Sequence, residues 1–131
     1  MKKSNQDLLT AAACVQKKAY APYSSFQVGA ALLAEDGCIY SGCNVENAAY
    51  PLGQCAEAGA IADMVKAGNR KIKKIMIMSP TDESCPPCGG CRQKIQEFSD
   101  PDTEILMADQ TGNASSITMS ELLPFAFELD K

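Results

Sequence analysis

The strongest constraint on the fold of this chain is a pair of cysteine motifs that lie far apart in the sequence. Cys55-Ala-Glu57 precedes Cys88-Gly-Gly-Cys91 by 33 residues. Three thiolates can hold one zinc ion and leave the fourth tetrahedral position open, as in catalytic zinc sites. Histidine, the other common zinc ligand, is absent from the chain. A shared ion requires a fold that brings the two motifs together.

The pattern of apolar residues and turn signals predicts an alternation of helices and strands. We expect helices over 4–18, 55–66 and 89–98, and a short last helix that Ser120 caps and Pro124 ends. Strands are expected over 27–34, 38–43, 72–78 and 104–108, with a further one near Ile117. This order predicts an α/β fold with a mostly parallel or mixed sheet covered by helices.

Both cysteine motifs fall at predicted helix N-termini. Free backbone N–H groups at such positions favour the thiolate over the thiol, so we expect lowered pKa values at these cysteines. Cys14, Cys38 and Cys43 are expected to be ordinary core residues.

Composition sets limits on the class of protein. A chain of 131 residues predicts a single domain over 1–131, and a hydrophobic content of 46% is enough for a core. The net charge of −4 argues against a nucleic-acid partner, which calls for a basic surface. No segment has the length of a membrane span or the core of a signal peptide, so we expect a cytoplasmic protein without membrane contact. Thiols stay reduced in the cytoplasm, so clustered cysteines in such a protein indicate metal or catalytic chemistry rather than disulfides.

The motifs support one kind of reaction. Zinc lowers the pKa of a bound water, but three thiolates leave the metal a weaker Lewis acid, so a nearby base is needed. Glu57 can take the proton of the water and deliver protons to a ring nitrogen and a leaving amine. Pro87 precedes Cys88, which completes the motif P-C-x-x-C. A zinc ligand two residues before a glutamate, as in Cys55-Ala-Glu57, followed later in the chain by P-C-x-x-C, is an established signature of zinc nucleobase deaminases.

Most of the chain, from about Tyr20 to Phe127, resembles the small homotetrameric zinc-dependent cytidine deaminases of nucleoside salvage. The resemblance rests on five blocks in the order and spacing of that family: Tyr20-Ala-Pro-Tyr-Ser-Ser-Phe26-Gln-Val-Gly-Ala-Ala-Leu32, Gly42-Cys-Asn44-Val-Glu46-Asn-Ala-Ala-Tyr50-Pro51, Cys55-Ala-Glu57, Pro87-Cys88-Gly-Gly-Cys91-Arg92-Gln93 and Leu122-Leu-Pro124.

The resemblance implies a three-layer α/β/α fold with five strands, one zinc per chain, and hydrolytic deamination of cytidine and 2′-deoxycytidine by water. It implies that Asn44 and Glu46 bind the ribose, chiefly its 3′-hydroxyl, and that Glu57 is the catalytic residue. The remaining implied roles are a pocket wall at Phe26, a backbone contact to the base at Ala56, and pocket completion from neighbouring subunits of a homotetramer by Tyr50 and Phe127.

The chain departs from that family at two positions. Many members with three cysteines carry arginine after the catalytic glutamate, where it offsets thiolate charge, whereas this chain has Ala58. Helix N-terminal N–H groups or Arg92 are the candidates to replace it. Phe125 stands where the family often has a small residue, which predicts a reshaped pocket edge.

Several alternatives stay open. Cys85 also forms a Cys-x-x-C pair with Cys88 and is a possible fourth ligand of a structural zinc knuckle. A non-catalytic, zinc-stabilised interaction module is the alternative outside enzymes. Within enzymes, the alternative is a deaminase for a modified cytosine nucleoside or a cytosine-containing antibiotic.

Overall fold

The computed structural model describes residues 3–131, so Met1 and Lys2 of the predicted domain lie outside it. Within that range the chain forms four α-helices, five strands and one short 3-10 helix (Tyr50–Leu52). The helices are α1 (Asn5–Gln16), α2 (Ala56–Lys66), α3 (Gly89–Glu97) and the short α4 (Met119–Leu122), and the strands are β1 (Gly29–Ala34), β2 (Ile39–Cys43), β3 (Ile72–Met78), β4 (Glu104–Ala108) and β5 (Ala114–Thr118). Each predicted element is present, with bounds that differ by a few residues.

The five strands form one mixed sheet in the order β2-β1-β3-β4-β5, which confirms the predicted fold class. The expectation that the sheet is mostly parallel is wrong. Only β3 and β4 pair in parallel, whereas β1–β2, β1–β3 and β4–β5 are antiparallel. The turns before β2 and β5 are too short for a crossover, so each strand must return antiparallel to its predecessor. The connection through α2 makes β3 run in the same direction as β2, but these two strands do not pair because β1 lies between them.

Helices cover both faces of the sheet and complete three layers. The alternating side chains of β3 show the division, because successive residues of a strand point to opposite faces. Ile75 and Ile77 join the core cluster of α2 and α3, whereas Met76 and Met78 join that of Leu8 in α1. Strand β3 is therefore buried on both faces over this stretch, as its continuous apolar sequence predicts.

Two local predictions meet different outcomes. Ser4 caps α1 and forms a capping box with Asp7, as expected. The predicted cap at Ser120 is wrong, since Thr118 caps α4 and forms a capping box with Glu121. Ser120 lies two residues after that cap, inside the helix.

The prediction that three further cysteines are core residues is also wrong. Cys14 and Cys38 are exposed, and Cys43 is half-buried. Cys14 lies two residues after the buried Ala12, about 200° around the helix, and therefore on the solvent side of α1. Cys38 follows the turn between β1 and β2.

Candidate active site

Three cysteine sulfurs converge between the starts of two helices. Cys55 is the N-cap of α2, Cys88 is the N-cap of α3, and Cys91 lies in the first turn of α3. Their sulfur atoms all lie within 4.8 Å of one another. Tetrahedral zinc with Zn–S bonds of about 2.3 Å requires sulfurs about 3.8 Å apart, so the set fits zinc with little movement. The predicted ligands are therefore positioned to bind one metal ion.

The three thiols differ in their tendency to ionise. The backbone N–H of Cys91 is the main cause that lowers the pKa of the Cys88 thiol. Burial raises the pKa of the Cys55 thiol and of the Cys91 thiol. The expectation of lowered pKa values at the helix starts is thus confirmed for Cys88 and wrong for the other two, where desolvation outweighs the helix. Metal binding would release protons from those buried thiols.

Glu57 lies beside the sulfurs in the first turn of α2, and only 4% of it is exposed. Burial is the main cause that raises the pKa of its carboxyl group. A hydrogen bond from its own backbone N–H, one from Cys91 and the charge of Lys94 act in the opposite direction. A carboxyl group with a raised pKa can both accept and return a proton closer to neutral pH than a solvated one.

The sulfurs and Glu57 lie on the wall of a cavity of about 330 Å³. This volume is in the range of small-molecule sites. Val28, Ile77, Pro86 and Pro87 supply apolar wall, and Ala56 lines the same cavity. The site therefore combines a metal-ligand set and a buried carboxyl group with a mainly apolar chamber.

Asn44 lies on the cavity wall just after β2 and holds the segment that leads into β1. Its Oδ1 accepts a hydrogen bond of 2.8 Å from the Val28 N–H, and its Nδ2 donates one of 2.8 Å to the Phe26 carbonyl. An amide has two donors and two acceptor positions, so one of each stays open to a ligand.

Glu46, on the same wall, holds the preceding loop. Its Oε1 accepts hydrogen bonds from the N–H groups of Tyr23 (2.9 Å) and Ser24 (3.2 Å), and its Oε2 accepts one from the Ser24 hydroxyl. The Ser24 hydroxyl is the main cause that lowers the pKa of Glu46. The carboxylate is therefore a fixed, ionised acceptor. Sequence reasoning missed Ser24, whose only signal is its place in the block from Tyr20 to Leu32.

Of the three remaining predicted residues, Tyr50 lines the cavity, whereas Phe26 and Phe127 do not. Tyr50, 77% exposed, lies on the rim of the cavity and meets Tyr23 edge to face, with ring centroids 6.2 Å apart. Phe26 is half-buried and is not among the residues that line this cavity within 3–131. Phe127 is 69% exposed and lies in a separate groove, where its carbonyl accepts a 2.8 Å hydrogen bond from Gln93 Nε2.

Two further residues bear on the open alternatives. Cys85 lies on the cavity wall, but its sulfur is outside the group formed by Cys55, Cys88 and Cys91 in the described chain. The Arg92 guanidinium donates to the carbonyls of Pro87 (2.8 Å) and Leu122 (3.2 Å). Arg92 therefore holds the backbone at Pro87, the residue directly before Cys88.

Comparisons with known proteins agree with this geometry. The zinc-binding region of cytidine and deoxycytidylate deaminases matches residues 2–107. A cytidine deaminase of Halalkalibacterium halodurans is 43% identical over 122 residues, which is 93% of this chain and 92% of the relative. One of Sporosarcina psychrophila is 45% identical over 112 residues, or 86% and 82%.

Solved structures give the same result. A cytidine deaminase from Burkholderia pseudomallei superposes with a TM-score of 0.90 at 40% identity, over 95% of this chain and all of the other. One from Mycobacterium tuberculosis gives a TM-score of 0.83 at 32% identity, over 98% of this chain and 100% of the other.

Across residues 3–131, no helix has both the length and the apolar character needed to cross a membrane.

Proposed function

The chain belongs to the cytidine and deoxycytidylate deaminase family of zinc-dependent hydrolases, and we propose that it converts cytidine and 2′-deoxycytidine to uridine and 2′-deoxyuridine. Water supplies the oxygen at C4 of the base, and the exocyclic amine leaves as ammonia. The observation that carries this proposal is the convergence of three sulfurs within 4.8 Å beside a carboxyl group that is 4% exposed.

Glu57 moves the protons of the reaction. Cys55, Cys88 and Cys91 would hold a zinc ion, which would act as a Lewis acid and lower the pKa of water. The Glu57 carboxylate takes a proton from the attacking water and delivers it to the ring nitrogen. It then carries a second proton to the amine, so that ammonia rather than an amide ion leaves. The raised pKa of its carboxyl group suits a residue that acts as base and acid in turn.

Asn44 and Glu46 bind the sugar, chiefly through its 3′-hydroxyl. Support comes from their position on the cavity wall and from the acceptor and donor positions that their loop contacts leave open. The Glu46 carboxylate is already fixed by Ser24 and Tyr23, so binding a hydroxyl there costs little side-chain entropy. The backbone near Ala56, on the cavity wall, reads the edge of the base. Phe26 does not line the cavity itself and supports the sugar site through the hydrogen bond that its carbonyl accepts from Asn44.

The active form is a homotetramer with shared sites. Tyr50 lies on the rim of the cavity with 77% of its surface exposed. The C-terminal segment exposes Phe125 and Phe127 outside the cavity of their own chain. Exposed aromatic residues of this density usually mark an interface, and a neighbouring subunit would bring Phe127 to a second site.

The seven free cysteines suit the reducing cytosol, where the enzyme would act.

Substrate analogues test the proposal in a single assay. Loss of cytidine absorbance is followed in parallel for cytidine, 2′-deoxycytidine, 3′-deoxycytidine and free cytosine. The first two should react at similar kcat/KM, and the last two poorly, because a site built for a hydroxyl leaves its own polar groups unpaired without it. Equal kcat/KM for cytosine and cytidine would contradict the sugar site. Turnover confined to a ring-substituted cytosine nucleoside would favour the modified-nucleoside alternative. No turnover of any compound by zinc-loaded protein would favour an interaction module.

A further inference from the structure

A pair of backbone hydrogen bonds joins the sugar-site segment to the residue before the first cysteine ligand. The Val45 N–H donates to the Gln54 carbonyl over 2.9 Å, and the Gln54 N–H donates to the Val45 carbonyl over 2.8 Å. Val45 stands between Asn44 and Glu46, and Gln54 directly precedes Cys55. We propose that this Val45–Gln54 bridge positions the start of α2, so that binding of the sugar raises kcat as well as affinity. The role rests on the proposed function, since it concerns the same sugar site.

The bridge joins the two ends of an irregular loop. Between Glu46 and Cys55, which are nine positions apart in the chain, the only regular element is the 3-10 helix Tyr50–Leu52. Through the bridge, each of these two residues is the direct neighbour of a paired residue. The five residues that flank or form the bridge also share one surface, the wall of the 330 Å³ cavity: Asn44, Val45, Glu46, Gln54 and Cys55. A displacement at the sugar end of this wall therefore displaces the other end.

The opposite edge of the sugar-site segment is fixed as well. The Tyr20 N–H donates to the Asn44 carbonyl over 3.0 Å, and the Glu46 N–H donates to the Tyr20 carbonyl over 2.8 Å. Val45 is thus paired with Tyr20 on one side and with Gln54 on the other. A segment held along both edges moves with its neighbours, so a load on the Asn44 or Glu46 side chain passes to Gln54.

The start of α2 is weakly held by the helix itself. The Gly59 N–H donates to the Cys55 carbonyl over 3.4 Å, which is long for a hydrogen bond between backbone groups. Within the described chain, the Cys55 side chain caps none of the free N–H groups of the helix. Glu57 lies in this first turn, and a small displacement of a proton-transfer group lowers the rate. The bridge therefore acts where the binding energy of the sugar can be used for orientation.

The α-hydroxy analogue of glutamine at position 54 tests the bridge. It keeps the side chain, turns one amide into an ester and removes the N–H that donates to the Val45 carbonyl. In the zinc-loaded chain this should lower kcat for cytidine about 5-fold, with KM changed by less than about 2-fold. The kcat for 3′-deoxycytidine, which lacks the hydroxyl that loads the bridge, should already be low in the unmodified chain and should not fall further.

The α-hydroxy analogue of leucine at position 52 is the matched control. It removes one backbone hydrogen bond from the same loop, the 2.9 Å bond from the Leu52 N–H to the Ala49 carbonyl, and leaves the bridge intact. It should keep the unmodified kcat for both nucleosides. An equal loss of kcat in the two esters would indicate general loosening of the loop and overturn the proposal. So would a change confined to KM in the Gln54 ester, or an equal loss for cytidine and 3′-deoxycytidine.

Amide hydrogen exchange gives a readout that does not depend on turnover. Saturating uridine should slow exchange of the Gly59 amide in the unmodified chain, whereas uracil, which has no sugar, should not. In the Gln54 ester the slowing should be lost, and equal slowing in both proteins would contradict the bridge. Absence of cytidine turnover in the unmodified chain would refute the proposed function and this role together. Cytidine turnover combined with any of the contrary results would refute the role of the bridge alone.

Discussion

The backbones of Gly42 in β2 and Gly59 in α2 lie in direct contact, and a Cβ on Gly59 would come within 3.3 Å of the Gly42 Cα. A Cβ on Gly42 would in turn overlap the backbone of α2 at Ala56 and Ala60. Since α2 begins at the metal site and carries Glu57, this contact sets the distance between the sheet and the catalytic helix.

Gly42→Ala should therefore lower the free energy of unfolding by about 1–3 kcal/mol, because the atoms in the way belong to a rigid helix backbone. Urea denaturation measures the change. Gly89→Ala is the control, since its Cβ would meet nothing within 4 Å and should leave stability equal or slightly higher. A Gly42→Ala variant as stable as the wild type would contradict the close packing of α2 on β2.

Cys88→Ala should abolish zinc binding and deamination, because two thiolates rarely retain the ion. Metal content by atomic absorption and turnover are measured on the same preparation. Cys85→Ala is the matched variant, three residues away in the same loop, and should keep both zinc and most activity. Full zinc in Cys88→Ala, or its loss in Cys85→Ala, would show that the ligand set is different.

Glu57→Gln should keep zinc and the fold but lose about 10²–10⁴-fold in kcat, since glutamine retains the shape and cannot transfer the protons. Stopped-flow or steady-state absorbance measures kcat, and metal analysis confirms an intact site. Near-normal kcat would mean that another group moves the protons.

Ser24→Ala should raise the pKa of Glu46 towards its ordinary value of 4.5, because the Ser24 hydroxyl is the main cause of the lowering. A lowered pKa favours the folded state above the ordinary pKa, and this contribution is lost as the pH falls through the lowered value. In Ser24→Ala the loop should therefore loosen at a higher pH than in the wild type. NMR titration of the Glu46 carboxyl carbon and of the Tyr23 amide follows both events. Ser25→Ala, whose hydroxyl makes no bond to Glu46, should titrate like the wild type, and the same behaviour in Ser24→Ala would refute the assignment.

Mixing two inactive variants should restore activity if sites are shared between subunits. A hybrid of Glu57→Gln and Phe127→Ala chains contains sites in which Glu57 comes from one chain and Phe127 from its neighbour, so some are complete. Activity is measured after mixing and dilution, with sedimentation to follow assembly. Glu57→Gln mixed with Cys88→Ala should stay inactive, because both lesions lie in the same half of the site. A fully active monomer would remove the role of Phe127.

Local sequence determined the elements and the composition of the metal site. Capping at Ser4, the Ile-Met alternation of β3 and the turn residues depend on neighbours in the chain, so their outcome can be predicted without the fold. The spacing of Cys88 and Cys91 across one helical turn likewise predicts two ligands on one face. The motif Cys55-Ala-Glu57 places a carboxyl group two residues after the third ligand.

Only the tertiary structure decided how these pieces meet. The strand directions depend on which strands become neighbours, so the position of β1 between β2 and β3 makes the sheet mainly antiparallel. Ser24 bonds to Glu46 across 22 residues of sequence, and Phe127 lies away from the cavity of its own chain. Such contacts arise from packing of distant surfaces, whose free energy depends on the whole fold rather than on any local pattern.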